Sequence, residues 1–146
     1  MKIFFDGGCR PNPGEMETAV VAGGRAYVRR GIGPGSSGEA EWAALLHALE
    51  VARTLGARDV VLAGDALNVV QAANGTGKCR GAAALSCLAA FRAEAAAFDR
   101  VRVRHVARTQ NLAGIALARD QGVLARDQGA AGRGLGASSA GKAARS

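Results

Sequence analysis

Aromatic residues and cysteines are scarce in this sequence. Only 4% of its 146 residues are Phe, Trp or Tyr, which excludes a core or a binding face built mainly from aromatic rings. The three cysteines, Cys9, Cys79 and Cys87, are odd in number and form no Cys-x-x-Cys pair. This pattern argues against both a disulfide framework and a zinc site, so we expect free thiols with a structural role.

Long hydrophobic runs are also absent. No apolar stretch reaches the roughly 18 residues that a membrane-spanning helix needs. The first six residues, MKIFFD, include an acid where a secretory signal would be apolar. We therefore expect a cytoplasmic protein without a membrane partner, and a chain of this length predicts one main domain.

Acidic residues are outnumbered by basic ones. The 19 Lys and Arg exceed the 12 Asp and Glu, which gives a formal net charge of +7. A basic excess favours an acidic partner, most often nucleic acid, because phosphate contacts release counterions. Composition alone is weak support, since Arg- and Ala-rich proteins are common in GC-rich genomes.

The apolar runs and turn residues predict an α/β fold. The predicted strands cover residues 2–6, 18–22, 25–30, 59–65 and 100–106. The predicted helices cover residues 39–55, 66–73, about 80–97 and a last segment from about residue 111. The first three strands form a meander, with a hairpin turn at Gly23-Gly24. The order β-β-β-α-β-α-α-β-α predicts a mixed five-stranded sheet, an antiparallel meander extended by parallel strands, flanked by helices.

The first predicted helix has one apolar face. Its members are Trp42, Leu45, Leu46, Leu49, Ala52 and Leu55. Ser36 or Ser37 can cap its start, and Gly56 ends it. Trp42 is expected to pack in the core, whereas His47 is expected on the exposed side with no special role.

The C-terminal residues differ in composition from the rest. We expect a domain over residues 1–119, then a helix extension or frayed repeat over residues 120–129, where LARDQG occurs for the second time. Residues 130–146 have no acid and one large hydrophobic residue. This composition predicts a disordered basic tail rich in Gly and Ala.

Three acids can meet at one edge of the predicted sheet. Asp6 and Asp65 follow apolar strands, and Glu41 lies in the first turn of a helix. Reactive crevices of open α/β sheets lie at the carboxyl ends of strands. Like charges brought so close favour a divalent cation, with Mg²⁺ preferred by oxygen ligands. The alternative is that the two Asp residues are turn acids and that Glu41 complements the helix dipole.

Four segments resemble motifs of the type 1 ribonucleases H, in the order of that family. They are residues 5–14 (FDGGCRPNPG), 37–45 (SGEAEWAAL), 64–70 (GDALNVV) and 105–111 (HVARTQN). The resemblance covers residues 1 to about 118. It implies an endonuclease that cuts the RNA strand of an RNA/DNA hybrid by a two-metal mechanism, with Mg²⁺ or Mn²⁺, acting as a monomer.

The resemblance also implies roles for single residues. Asp6 would bridge both ions, and Glu41 and Asp65 would hold the ion that carries the nucleophile. Asn12 would read the minor groove and the RNA 2′-hydroxyl, although an Asn-Pro turn residue is the alternative. Arg108 would assist product release or proton transfer, or else contact phosphate at the surface. The further substrate-binding candidates are Gly7, Cys9 and Ser37.

The sequence departs from the family pattern at the fourth carboxylate. Ile115 stands where that acid is expected, and Asp120 lies about 140° further around a helix, which makes it a poor replacement. Ser37-Gly38 replaces a common Asn pair, a basic protrusion known in some members is absent, and His105 is expected to be structural. Two other functions therefore stay open, a hybrid-binding module with little turnover and a nuclease of this fold acting on another nucleic acid.

Overall fold

The computed structural model describes residues 1–119, which form a mixed sheet with helices on both faces. The strands are β1 (Lys2–Cys9), β2 (Gly14–Ala22), β3 (Arg25–Arg29), β4 (Pro34–Gly35), β5 (Asp59–Gly64) and β6 (Arg100–His105). The helices are α1 (Ser37–Thr54), α2 (Leu67–Ala73), α3 (Ala82–Ala95) and α4, which begins at residue 112 and is described through residue 119. A 3₁₀ turn, Arg108–Gln110, precedes α4.

The strand order is β3-β2-β1-β5-β6, and β4 pairs with β2 outside this path. The meander is antiparallel, whereas β1, β5 and β6 are parallel to one another. The predicted α/β fold with its five-stranded path is confirmed, and the structure adds the two-residue β4. Such a sheet brings the carboxyl ends of β5 and β6 to the same edge.

The first strand is longer than the sequence predicts. It does not end at Asp6 but continues to Cys9, because its pairing with β2 extends as far as Cys9 opposite Met16. The parallel pairing with β5 stops earlier, at Phe4 opposite Ala63. Asp6 therefore lies where β1 loses its parallel neighbour, which leaves room beside its carboxylate.

The start of α1 is fixed by a capping box. Ser36 Oγ accepts a hydrogen bond from the Glu39 N–H at 3.1 Å, and Glu39 Oε1 accepts one from the Ser36 N–H at 2.9 Å. This end of the helix lies against β1 at Gly7. A Cβ at Gly7 would be 2.1 Å from the Ala40 carbonyl oxygen, so only glycine permits the approach that places Glu41 beside Asp6.

Helix α1 buries a wider surface than one apolar stripe. It packs on β1 and β2 and also on α3, and Trp42 is buried in the core as predicted. His47 is 1% exposed, so its expected exposed position was wrong. It shares a helix face with Ala40, Ala44 and Val51, and that face packs toward β2. Leu55, assigned to the apolar stripe, is instead 44% exposed at the C-cap.

The other face of the sheet is covered by α4. Ala113 and Leu117 pack against Ala19, Val21 and Val28 of the meander. The segments predicted over residues 120–129 and 130–146 lie outside the described residues. Within residues 1–119, the helices are all too short or too polar to cross a membrane.

Candidate active site

Asp6, Glu41 and Asp65 converge at one edge of the sheet. Each offers a carboxylate oxygen within 4.8 Å of the others, and all three side chains are partly buried. Asp6 comes from β1, Glu41 from the first turns of α1, and Asp65 follows β5 directly. The structure thus brings together the three acids that the sequence singles out.

The protonation behaviour of two of these acids reflects their surroundings. Burial, followed by the charges of Asp6 and Asp65, raises the pKa of Glu41 to about 8 despite a 3.0 Å hydrogen bond from the Gly7 N–H to Oε1. Burial and the charge of Asp65 raise the pKa of Asp6 to about 6, while Arg108 and the Gly7 N–H oppose the shift. Three ionised carboxylates are therefore costly here without a cation.

The donor set fits a hard divalent cation. Three carboxylates supply oxygen ligands of the type that Mg²⁺ and Mn²⁺ prefer, and their mutual repulsion is the energy that a cation would relieve. Within residues 1–119, no fourth Asp, Glu, His or Cys joins this cluster.

The acids open into a cleft of about 680 Å³. Arg108, exposed in the 3₁₀ turn, lines it, and its charge lowers the pKa values of both Asp6 and Glu41. A cation in this position is suited to contact an anionic substrate. His105 is exposed at the end of β6 and does not line the cleft.

Three of the substrate-binding candidates, Cys9, Asn12 and Ser37, are linked by hydrogen bonds beside the cleft. Asn12 Nδ2 donates to Ser37 Oγ, and the Ser37 N–H donates to Asn12 Oδ1, both at 3.1 Å. The Cys9 thiol lies 3.5 Å from Asn12 Oδ1. Asn12 thereby joins the loop after β1 to the start of α1. Gly7, Cys9 and Ser37 line the cleft, whereas Asn12 is exposed beside it and outside the lining.

Helix α4 contributes one wall of the cleft, beside Asp6. Ile115 lines the cleft and is 42% exposed. A Cβ at its neighbour Gly114 would lie 3.4 Å from Asp6 Oδ2. The wall is therefore apolar and close to the carboxylates.

Four residues near the acids have no role predicted from the sequence. Arg10 and Asn68 line the cleft, Glu17 raises the pKa of Asp6, and Asn111 donates a hydrogen bond from Nδ2 to Asp65 Oδ2 at 3.0 Å. Asn68 lies in the first turn of α2, three residues after Asp65, and that closeness in sequence could have identified it. Glu17 lies opposite Gly8 only through the β1–β2 register, which no local pattern reveals.

Comparison with known sequences and structures identifies the family of this chain. Residues 19–121, which include Glu41 and Asp65, match the reverse transcriptase-like family. No functionally curated protein matches the sequence significantly. RNase H1 from Halobacterium salinarum is 29% identical, with a TM-score of 0.72 over 80% of this chain and 92% of that one.

Two further solved structures share the fold. The N-terminal RNase H domain of a Mycobacterium tuberculosis protein is 26% identical, with a TM-score of 0.68 over 80% of this chain and 95% of that one. LC11-RNase H1, isolated from compost and solved with an RNA/DNA hybrid, is 21% identical, with a TM-score of 0.66 over 75% and 87% of the two chains. The chain therefore belongs to the reverse transcriptase-like family, and its resemblance to the type 1 ribonucleases H is confirmed.

Proposed function

We propose that this protein is a metal-dependent endoribonuclease that hydrolyses the RNA strand of RNA/DNA hybrids. The observation that carries the proposal is the convergence of Asp6, Glu41 and Asp65 within 4.8 Å, at the edge of a ribonuclease H-type sheet. A descendant with a purely structural role has no reason to keep three like charges together in an open cleft.

The three acids are the residues that would hold the metal. Asp6, Glu41 and Asp65 would supply the carboxylate ligands, Asp6 to both ions and Glu41 and Asp65 to the ion that carries the nucleophile. When bound, two Mg²⁺ or Mn²⁺ ions would activate the attacking water and stabilise the leaving 3′ oxygen. All three ligands come from one chain, so a monomer suffices for this site.

The protein's own side chains bind and orient the hybrid. Asn12, held by its two hydrogen bonds to Ser37, presents the loop after β1 to the minor groove and to the RNA 2′-hydroxyl. Arg108 faces the acids across the cleft and contacts phosphate or assists proton transfer. Gly7 donates its N–H to Glu41 and keeps that carboxylate turned toward Asp6.

A hybrid-binding module with little turnover is the second candidate. The observation in its favour is the apolar Ile115 in the cleft, together with a cluster of three rather than four acids within residues 1–119. Such a module would bind the hybrid at the same cleft, which Arg10 and Arg108 line, but cut it slowly or not at all.

A cleavage assay on a labelled RNA/DNA hybrid distinguishes the two candidates. We expect cleavage of the RNA strand with Mg²⁺ or Mn²⁺ and none with a chelator, whereas duplex DNA stays intact. Duplex RNA is included as a third substrate. Hybrid binding without cleavage at any metal concentration would contradict the enzyme and support the module.

A further inference from the structure

Asn111 is a fully buried amide that links three elements at the active site. Its Nδ2 donates to the Phe5 carbonyl oxygen and to Asp65 Oδ2, both at 3.0 Å. Its Oδ1 accepts a hydrogen bond from the Ala113 N–H at 3.1 Å, which caps the start of α4. Both N–H groups and the oxygen of this side chain are therefore used.

We propose that Asn111 is a positioning residue that fixes the carboxylate of Asp65 relative to Asp6. Phe5 directly precedes Asp6, so the two N–H groups of one amide tie the backbone at Asp6 to the Asp65 carboxylate. The inference rests on the proposed function insofar as Asp65 is a metal ligand. Asn111 itself is fully buried and does not line the cleft.

The surroundings of Asp65 explain why a positioning residue is needed. Asp65 lies between β5 and α2, and the N-cap of α2, Ala66, makes no side-chain cap hydrogen bond. Among residues 1–119, the bond from Asn111 is the only hydrogen bond that the Asp65 side chain makes to protein. Without it, the carboxylate is free to rotate about its χ angles in the open cleft.

The chemistry of the position selects asparagine. An aspartate would direct a second carboxylate at Asp65 and at the Phe5 carbonyl oxygen, both of which are acceptors. A leucine would leave the buried Phe5 carbonyl unpaired by a side chain and would remove the cap of α4. Asparagine supplies two neutral donors and one acceptor in the required directions.

The test uses Asn111→Ser, because serine keeps the helix-cap acceptor but removes both donors to Phe5 and Asp65. We expect Mn²⁺ binding, measured by calorimetry without nucleic acid, to weaken by about 10- to 100-fold. In the hybrid assay we expect kcat to fall while KM for the hybrid changes little. Asn111→Thr, with the same capping chemistry, serves if the serine variant does not fold.

The matched control is Asn74→Ser. Asn74 Nδ2 donates to the Val103 carbonyl oxygen at 2.9 Å, a bond of the same type between a helix end and a strand, remote from the acids. We expect it to lower stability, measured by urea unfolding, without changing Mn²⁺ affinity. Equal loss of Mn²⁺ affinity in both variants would show a merely structural role and overturn the proposal.

A double-mutant cycle tests whether Asn111 acts through Asp65. In an Asp65→Ala background, we expect Asn111→Ser to leave the residual Mn²⁺ affinity unchanged. The same loss in both backgrounds, or no loss in the wild type, would overturn the proposal. Calorimetry measures Mn²⁺ binding without cleavage. A wild-type protein that binds Mn²⁺ but does not cut the hybrid would therefore contradict the proposed function and leave the proposal for Asn111 intact.

Discussion

Helix α1 carries two titratable side chains in very different surroundings, the partly buried Glu41 and the buried His47. Glu41 lies in the carboxylate cleft, where burial and neighbouring acids raise its pKa to about 8. His47 lies two turns further along, where burial and then the charge of Arg29 lower its pKa to about 3. Both shifts favour the neutral form, so the size of a shift does not distinguish a site from a core.

The two regions differ in the charged neighbours of each side chain and in its access to solvent. Glu41 faces two more carboxylates and an opening of about 680 Å³. His47 is enclosed, with its Nδ1 2.9 Å from Thr18 Oγ1 and its buried Nε2 without a hydrogen-bond partner in the described part of the chain. Like charges that converge at an opening indicate a binding site, whereas a single enclosed imidazole indicates a polar residue accommodated by the core.

The largest effect is expected from a change in the cleft. Asp65→Asn keeps the size of the side chain but removes the negative charge that a divalent cation requires, so we expect hybrid cleavage to fall by more than about 100-fold. Folding and hybrid binding should be largely retained, as measured by circular dichroism and by hybrid titration with Ca²⁺ in place of Mg²⁺.

Asp59→Asn is the matched control for this change. Asp59 begins the same strand, at the opposite end from the cleft, and forms an exposed ion pair with Arg102 at 3.3 Å. We expect nearly full activity from this variant because exposed ion pairs contribute little. An Asp65→Asn protein that keeps most of its activity would show that the acid cluster is not the catalytic centre.

The next effect concerns the enclosed histidine and the pH dependence of stability. The folded pKa of His47, about 3, lies below its ordinary value of 6.5, so the unfolded chain takes up the proton first as pH falls. Its contribution to stability is complete above about pH 6.5 and is lost progressively toward pH 3. At pH 5 the loss amounts to about 2 kcal/mol of unfolding free energy.

His47→Gln isolates this contribution, because glutamine stays neutral and can still bond to Thr18. Glu41 acts in the opposite direction, since its raised pKa gives a stability that is present at low pH and is lost as pH rises through about 8. Glu41 is present in both proteins. The difference in unfolding free energy between wild type and variant, measured by urea unfolding at about pH 7.5 and at pH 5, therefore reports His47 alone. His105→Gln, at an exposed histidine, is the control, and an unchanged difference would contradict the assignment.

Local sequence patterns predicted the helices and strands better than they predicted the burial and tertiary contacts of single residues. Alternation and turn residues predicted the strands of the meander, and Ser36 is one of the two serines predicted as the cap of α1. The burial of His47 could not be predicted from one helix, because α3 and the sheet pack against α1 on different sides. The role of Asn111 depends on contacts with Phe5 and Asp65, more than 40 residues away in sequence, and no local pattern encodes them.

The smallest effect is expected at Ile115, where the cleft wall is apolar. The three acids carry at most three negative charges, so in the absence of substrate a second divalent cation would bind weakly. Ile115→Asp adds a fourth charge at a side chain that lines the cleft and is 42% exposed, which limits the cost of burying it. We expect the metal concentration for half-maximal cleavage to fall by about threefold to tenfold.

Ile32→Asp, at an isoleucine that is 38% exposed and outside the cleft lining, should leave that concentration unchanged. If Ile115→Asp folds but needs as much metal as the wild type, then either Ile115 is not the position of the fourth acid or another group, such as Asp120, already fills that role.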